Sequence, residues 1–169
     1  KKERTTDLVV KAVLAGFRGI DTACQPRHYR EDLVGAALAI LQAEHGIPRE
    51  SLFLQTKFTS LGGQDINSVP YDPDAPLEEQ VHQSVARSLK NLRTTHIDSL
   101  VLHSPMPTMQ QTLTVWSVLE EYHEKGTIKQ LGISNIYKPA ALRELYGQVC
   151  VKPAVVQNRF YAETSYDSS

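Results

Sequence analysis

Apolar residues recur at helical spacing, bunch into a short run, and return to helical spacing, five times over. The segment TTDLVVKAVLAG places Leu8, Val9, Val13 and Leu14 on a stripe, with a Thr/Asp start and Gly16 as a stop. FRGID follows as a short strand. REDLVGAALAILQAEHG carries Leu33, Ala37, Ile40 and Leu41 at helical intervals and ends on Gly46. SLFLQTKF is an apolar run of strand length, and a polar Gly/Pro-rich loop, TSLGGQDINSVPYDPDAP, separates it from the next helix. That helix, LEEQVHQSVARSLKNL, aligns Val81, Val85, Leu89 and Leu92. IDSLVLHS, IKQLGISN and PAVVQNRF read as strands, with TLTVWSVLEEYHEKG and KPAALRELYGQV as helices between them.

Strands that are apolar almost throughout, each followed by a helix, call for a parallel sheet covered by its crossovers. Open doubly wound sheets and closed eight-stranded barrels both satisfy that pattern. No G-x-G-x-x-G follows a strand, which weakens a Rossmann reading, and a phosphate-cradling G-x-x-x-x-G-K-[ST] is absent. No G-x-S-x-G elbow supports an open-sheet hydrolase. No repeat beyond the alternation is visible, so residues 1–169 are read as a single domain.

Composition narrows the partners. With 41% hydrophobic and 22% charged residues and a formal net charge of -1, the chain offers no electrostatic footprint for nucleic acid or an anionic membrane. No apolar run reaches the length of a membrane span, and the amphipathic start is unlike a signal core. Cys24 and Cys150 are far apart with no metal-ligand spacing, as expected of two reduced thiols in a cytoplasmic protein with no metal site.

Candidate chemistry sits at the strand ends. The first strand ends on Asp21, the second on Lys57, the third on His103, the fourth on Ser134 and Asn135, and the fifth on Gln157. In parallel α/β folds that rim is where active sites are built. Each residue alone has a plainer reading: Asp21 as a turn cap, Ser134 and Asn135 as the start of the next helix, His103 as a satisfied turn residue. Five successive strands with polar ends on one rim favour a site. Tyr29, in the loop after Asp21, adds a phenol whose pKa of about 10 a nearby ammonium lowers. Tyr29, Lys57 and Asp21 together then make a general acid for a carbonyl oxygen that His103 orients. The accompanying hydride comes from no side chain, so a nicotinamide is implied, with Ser134, Asn135 and Gln157 suited to its carboxamide.

GFRGIDTA, LFLQTK, IDSLVLHSP, WSVLEEYHEKGTIKQLGISN and KPAVVQNRFY, in that order, resemble the signature segments of the aldo-keto reductases. The resemblance covers essentially the whole chain. It implies a (β/α)8 TIM barrel that binds NADP(H) without a Rossmann fold and interconverts aldehydes or ketones with alcohols. It carries over Asp21, Tyr29, Lys57 and His103 as the catalytic tetrad, with Tyr29 the proton donor, and Ser134, Asn135 and Gln157 as cofactor contacts.

Two departures stand out. The family places its tyrosine five residues after the aspartate, whereas Tyr29 follows Asp21 by eight, through TACQPRH, where Pro26 suggests a fixed turn; His28 is a rival. The chain is also about half the family's length. It reads as an incomplete barrel, the second to sixth βα units, with strands one, seven and eight missing and no strand in YAETSYDSS. Such a piece is expected to leave unpaired edges, to bind cofactor poorly and to turn over weakly or not at all. The other reading is a non-catalytic binding or regulatory relative. Among loops, residues 59–76 remain to shape a substrate pocket, with Tyr71 as a candidate wall.

Overall fold

Helix and strand alternate along the chain from the first turn. A computed structural model describes residues 2–163. Five helices, α1 (Thr5–Leu14), α2 (Glu31–His45), α3 (Leu77–Leu92), α4 (Met109–Glu124) and α5 (Pro139–Gln148), alternate with five strands. These are β1 (Gly19–Asp21), β2 (Phe53–Phe58), β3 (Ser99–Leu102), β4 (Leu131–Ser134) and β5 (Val155–Gln157). All pairings are parallel, in the order β1-β2-β3-β4-β5. The last six residues of YAETSYDSS, 164–169, lie outside the described residues, and the expectation that this stretch holds no strand falls largely on them. Among the described residues no helix is long and apolar enough to cross a membrane.

The sheet is curled. Five strands spaced about 4.8 Å apart put β1 and β5 roughly 19 Å from each other in a flat sheet. Here the Gln157 side chain of β5 donates to Asp21 Oδ2 of β1 at 3.0 Å. Side chains on one face therefore converge across a concave interior, and the chain forms a half-barrel.

Strand alternation sorts the two faces. Along β2, Leu54 and Phe58 enter the helix-covered core, while Gln55 and Lys57 turn to the interior. The core divides into two clusters: one around the fully buried Trp116, Ile97, Leu100 and Ile133, the other joining Leu54 to α1 and α2. Helix α2 presents Val34, Ala37, Leu38 and Leu41 to that core, rotated from the expected stripe, so Leu33 and Ile40 are only half-buried. In α1, Val13 is buried but Leu8 and Leu14 are half-exposed.

Helices α2 and α3 approach closely at Gly35. A Cβ there meets the backbone oxygen of Asn91 at 1.9 Å, and backbone cannot rotate aside. Gly35→Ala is expected to destabilise by about 1–3 kcal/mol or more, lowering the melting temperature by roughly 2–12 °C in a thermal scan; an unchanged melting temperature contradicts this contact.

At the opposite ends of the strands, Asp98 gathers the Arg49 guanidinium at 2.6 Å, Lys129 Nζ at 2.8 Å and the Leu54 N–H at 3.0 Å. This clamp ties β2 to β3 and leaves the other rim free for chemistry.

Candidate active site

The rim residues reach one region because each lies at, or just past, the end of its strand. Lys57 is 3% exposed, and its Nζ donates to Asp21 Oδ1 at 2.6 Å and to the Thr22 carbonyl at 2.9 Å. Asp21 does not cap a turn. Its Oδ1 also accepts from Gln55 Nε2 at 2.9 Å, and its Oδ2 accepts from Gln157. Burial pushes the Asp21 carboxyl upward, but the Lys57 and Gln55 hydrogen bonds, the Lys57 charge and the Gln157 bond outweigh it and hold the group below the usual carboxylate range.

Tyr29 arrives by a turn that absorbs the long spacing from Asp21. The His28 and Tyr29 N–H groups both donate to the Gln25 carbonyl, at 3.0 and 2.9 Å. Gln25 Nε2 ties the loop to Gly63 O at 2.6 Å. Buried Glu31, which opens α2, accepts from Thr56 Oγ1 and from Asn91 Nδ2. The half-buried Tyr29 ring then lies with its centroid 5.4 Å from Lys57 Nζ and 6.1 Å from the His103 ring, edge to face.

The phenol and the ammonium are neighbours without a hydrogen bond between them. Nor is the phenol made more acidic, as the sequence suggested. Burial raises its pKa first, the Asp21 charge raises it further, and Arg159 offsets only part. The physical reason is burial of the ring, with the nearby Asp21 carboxylate, itself bound to Lys57, acting in the same direction.

His103 follows β3 with its N–H on the Phe58 carbonyl at 2.9 Å. Its Nδ1 is 2.7 Å from Thr59 Oγ1. Burial, then the Lys57 charge, depress its pKa to about 4, with Asp21 opposing and His28 adding slightly, so the ring is neutral at neutral pH.

Ser134 donates to the Gln157 carbonyl at 2.6 Å. Asn135, in the left-handed region at φ 54°, donates to the His103 carbonyl at 2.8 Å and to Ser134 Oγ at 3.3 Å. Gln157 Oε1 accepts from Gln55 at 3.2 Å. Hydroxyl and amide groups of both polarities thus stand together at the ends of β4 and β5, a donor set that fits a carboxamide.

A cavity of about 690 Å³ opens on this rim, lined by Tyr29, His103, Thr59, Asn135, Arg27 and Arg159, among others. His28 is exposed at its edge. Tyr71 is not a wall of it. Its ring packs on Phe58 in the core, centroids 5.9 Å apart, and its hydroxyl donates to the Thr59 carbonyl. Sequence reading missed Gln55 and Thr59. Gln55 was within reach, since it shares a strand face with Lys57 two positions on; Thr59 offered only its place beside a strand end.

The sequence model of the aldo/keto reductase family matches residues 1–164. An aldo-keto reductase of Mycolicibacterium smegmatis is 30% identical over 156 residues, covering 92% of this chain and 49% of that protein. Methylglyoxal reductase DkgA of Escherichia coli is 27% identical over 155 residues, covering 92% and 48%. The crystal structure of a Bombyx mori aldo-keto reductase in complex with NADP superposes with a TM-score of 0.74 at 25% identity, over 94% of this chain and 49% of that one. The chain spans about half the length of the curated relatives it matches.

Proposed function

We propose, for a chain that belongs to the aldo/keto reductase family, that these residues form the catalytic rim of an NADP(H)-dependent reductase of aldehydes or ketones. One observation carries the reading: a buried lysine, locked to a carboxylate, stands over a phenol at 5.4 Å beside a neutral imidazole, at the mouth of a cavity. Ser134, Asn135 and Gln157 are the residues that would hold the nicotinamide carboxamide. When bound, that group supplies the hydride.

The chain's own residues supply the rest. His103 directs an imidazole N–H at the carbonyl oxygen and orients it. Tyr29, kept protonated by its burial, gives that oxygen its proton. The phenolate left behind is stabilised by Lys57 across the ring, while Asp21 keeps the lysine charged and fixed. A small carbonyl such as methylglyoxal, the substrate in the name of the Escherichia coli relative, is a fitting probe.

The test adds NADPH to the chain and follows the cofactor's emission, then its oxidation with methylglyoxal. Enhanced emission and turnover support the proposal. Unchanged emission with no turnover overturns it in favour of the second reading, a non-catalytic relative. The observation behind that reading is the engagement of Gln157 with Asp21 and Gln55 rather than with open cavity.

A further inference from the structure

The group facing His103 from just past the end of β2 is Thr59, a residue outside the proposed tetrad, 4% exposed and held from several sides. Its carbonyl accepts from Tyr71 Oη at 2.9 Å and from Gln64 Nε2 at 3.2 Å. Its methyl occupies space left by Gly63, where a Cβ stands 2.7 Å from Thr59 Cγ2. With the methyl lodged there, Oγ1 faces the imidazole at 2.7 Å.

Hydrogen-bond accounting then decides the direction. A buried hydroxyl needs an acceptor, and among the described residues Thr59 Oγ1 has no partner other than His103 Nδ1. His103 Nε2 has no protein partner among the described residues, and the ring lines the cavity. If Nδ1 carried the proton, the Thr59 hydrogen would be buried without an acceptor, at the cost that attends such groups. If the hydroxyl donates, Nδ1 accepts and the proton of the neutral ring must lie on Nε2.

We propose that Thr59 is a positioning residue whose hydroxyl donates to His103 Nδ1, fixing the Nε2–H tautomer and aiming that N–H into the cavity. The use of this N–H on a carbonyl oxygen rests on the function proposed above; the tautomer does not. Its consequence is a division of labour. The imidazole is a fixed hydrogen-bond donor, and the phenol of Tyr29 is left as the proton source. The depressed pKa of His103 agrees with this: burial and then the Lys57 charge favour the neutral ring, Asp21 opposes them and His28 adds to them, and a donor to Nδ1 acts in the same direction as burial.

The experiment is a long-range ¹H–¹⁵N correlation of the imidazole rings in the full ¹⁵N-labelled chain, with His103 assigned from its absence in His103→Gln. The wild-type ring is expected to show the Nε2–H pattern across the neutral range. In Thr59→Val its shifts are expected to move toward a mixture of tautomers and its midpoint to rise by roughly half to one pH unit, the loss of one neutral hydrogen bond. Thr59→Ser is expected to restore the wild-type pattern, which a merely structural effect of lost volume does not explain. An Nδ1–H pattern in the wild type, or ring shifts unchanged in Thr59→Val, overturns the proposal. Should Thr59→Val fail to fold, judged by the emission of Trp116, the wild-type and Thr59→Ser spectra decide by the same criteria. Neither NADPH nor a carbonyl is used, so absent turnover counts against the proposed function and leaves the tautomer result standing.

Discussion

Tyr29→Phe is expected, on the proposed function, to lower the rate of carbonyl reduction by about 10²–10⁴-fold, the contribution of a positioned general acid, while leaving the fold intact. The phenol hydroxyl has no hydrogen-bond partner among the described residues, so its removal orphans no buried group. The ring keeps its edge contact with His103 and its place beside Lys57. Thermal unfolding is therefore expected to stay within the small range of substitutions that break no contact. Stopped-flow oxidation of NADPH with methylglyoxal, set beside a melting curve, separates the two effects. A variant that keeps more than about a tenth of the wild-type rate removes Tyr29 from the proton-donor role.

The same residue sets the pH profile. In the proposed role reduction would need the protonated phenol, and burial with the Asp21 charge raises its pKa above the ordinary value of about 10. The proton is therefore retained through neutrality and lost only as pH climbs beyond that value. Reduction is expected to stay level through the neutral range and fall in strong alkali, whereas alcohol oxidation, which needs the phenolate, rises over the same alkaline interval. A reduction rate already falling near neutrality contradicts this ordering.

Much of this arrangement is legible in the sequence itself. The β2 run is apolar on its helix side and long enough to place Lys57 at its end, and LVLHS does the same for His103. The alternation of such runs with helical stripes carries the parallel sheet. What could not be read depends on contacts between segments. The stripe of α2 is rotated because Gly35 lets α3 approach closely enough to bury Val34 and Leu38 in place of Leu33 and Ile40. Tyr71 looks like a loop aromatic free to meet substrate, but Phe58 and the Thr59 carbonyl draw it inward. The sense of the Tyr29 shift was missed because residue types alone place an ammonium near a phenol. Only geometry shows that the ring is buried enough to hold its proton and that the carboxylate bound to that ammonium acts in the same direction.

Lys57→Met tests the electrostatic role proposed for the lysine. An ammonium 5.4 Å from the ring centroid interacts with a phenolate by about 3 kcal/mol at an effective dielectric of about 20. That is roughly two decades in rate if the charge develops in the transition state. The Asp21 charge, which opposes phenolate formation, is present in both proteins, so the expected loss stays at about 10²-fold. Stability should move little. The lysine is buried but Asp21 is 42% exposed at its side chain, where solvent screens the pair, and methionine fills the same slot without an ammonium to desolvate. Asp21 also retains Gln55 and Gln157 as donors. The expected outcome is thus a slow enzyme that melts within a few degrees of the wild type (about 1 kcal/mol), with the pKa of Asp21 moved up toward its ordinary value. A large drop in melting temperature with a rate scaling only to the folded fraction would make the Lys57–Asp21 pair a structural clamp rather than the electrostatic partner of Tyr29.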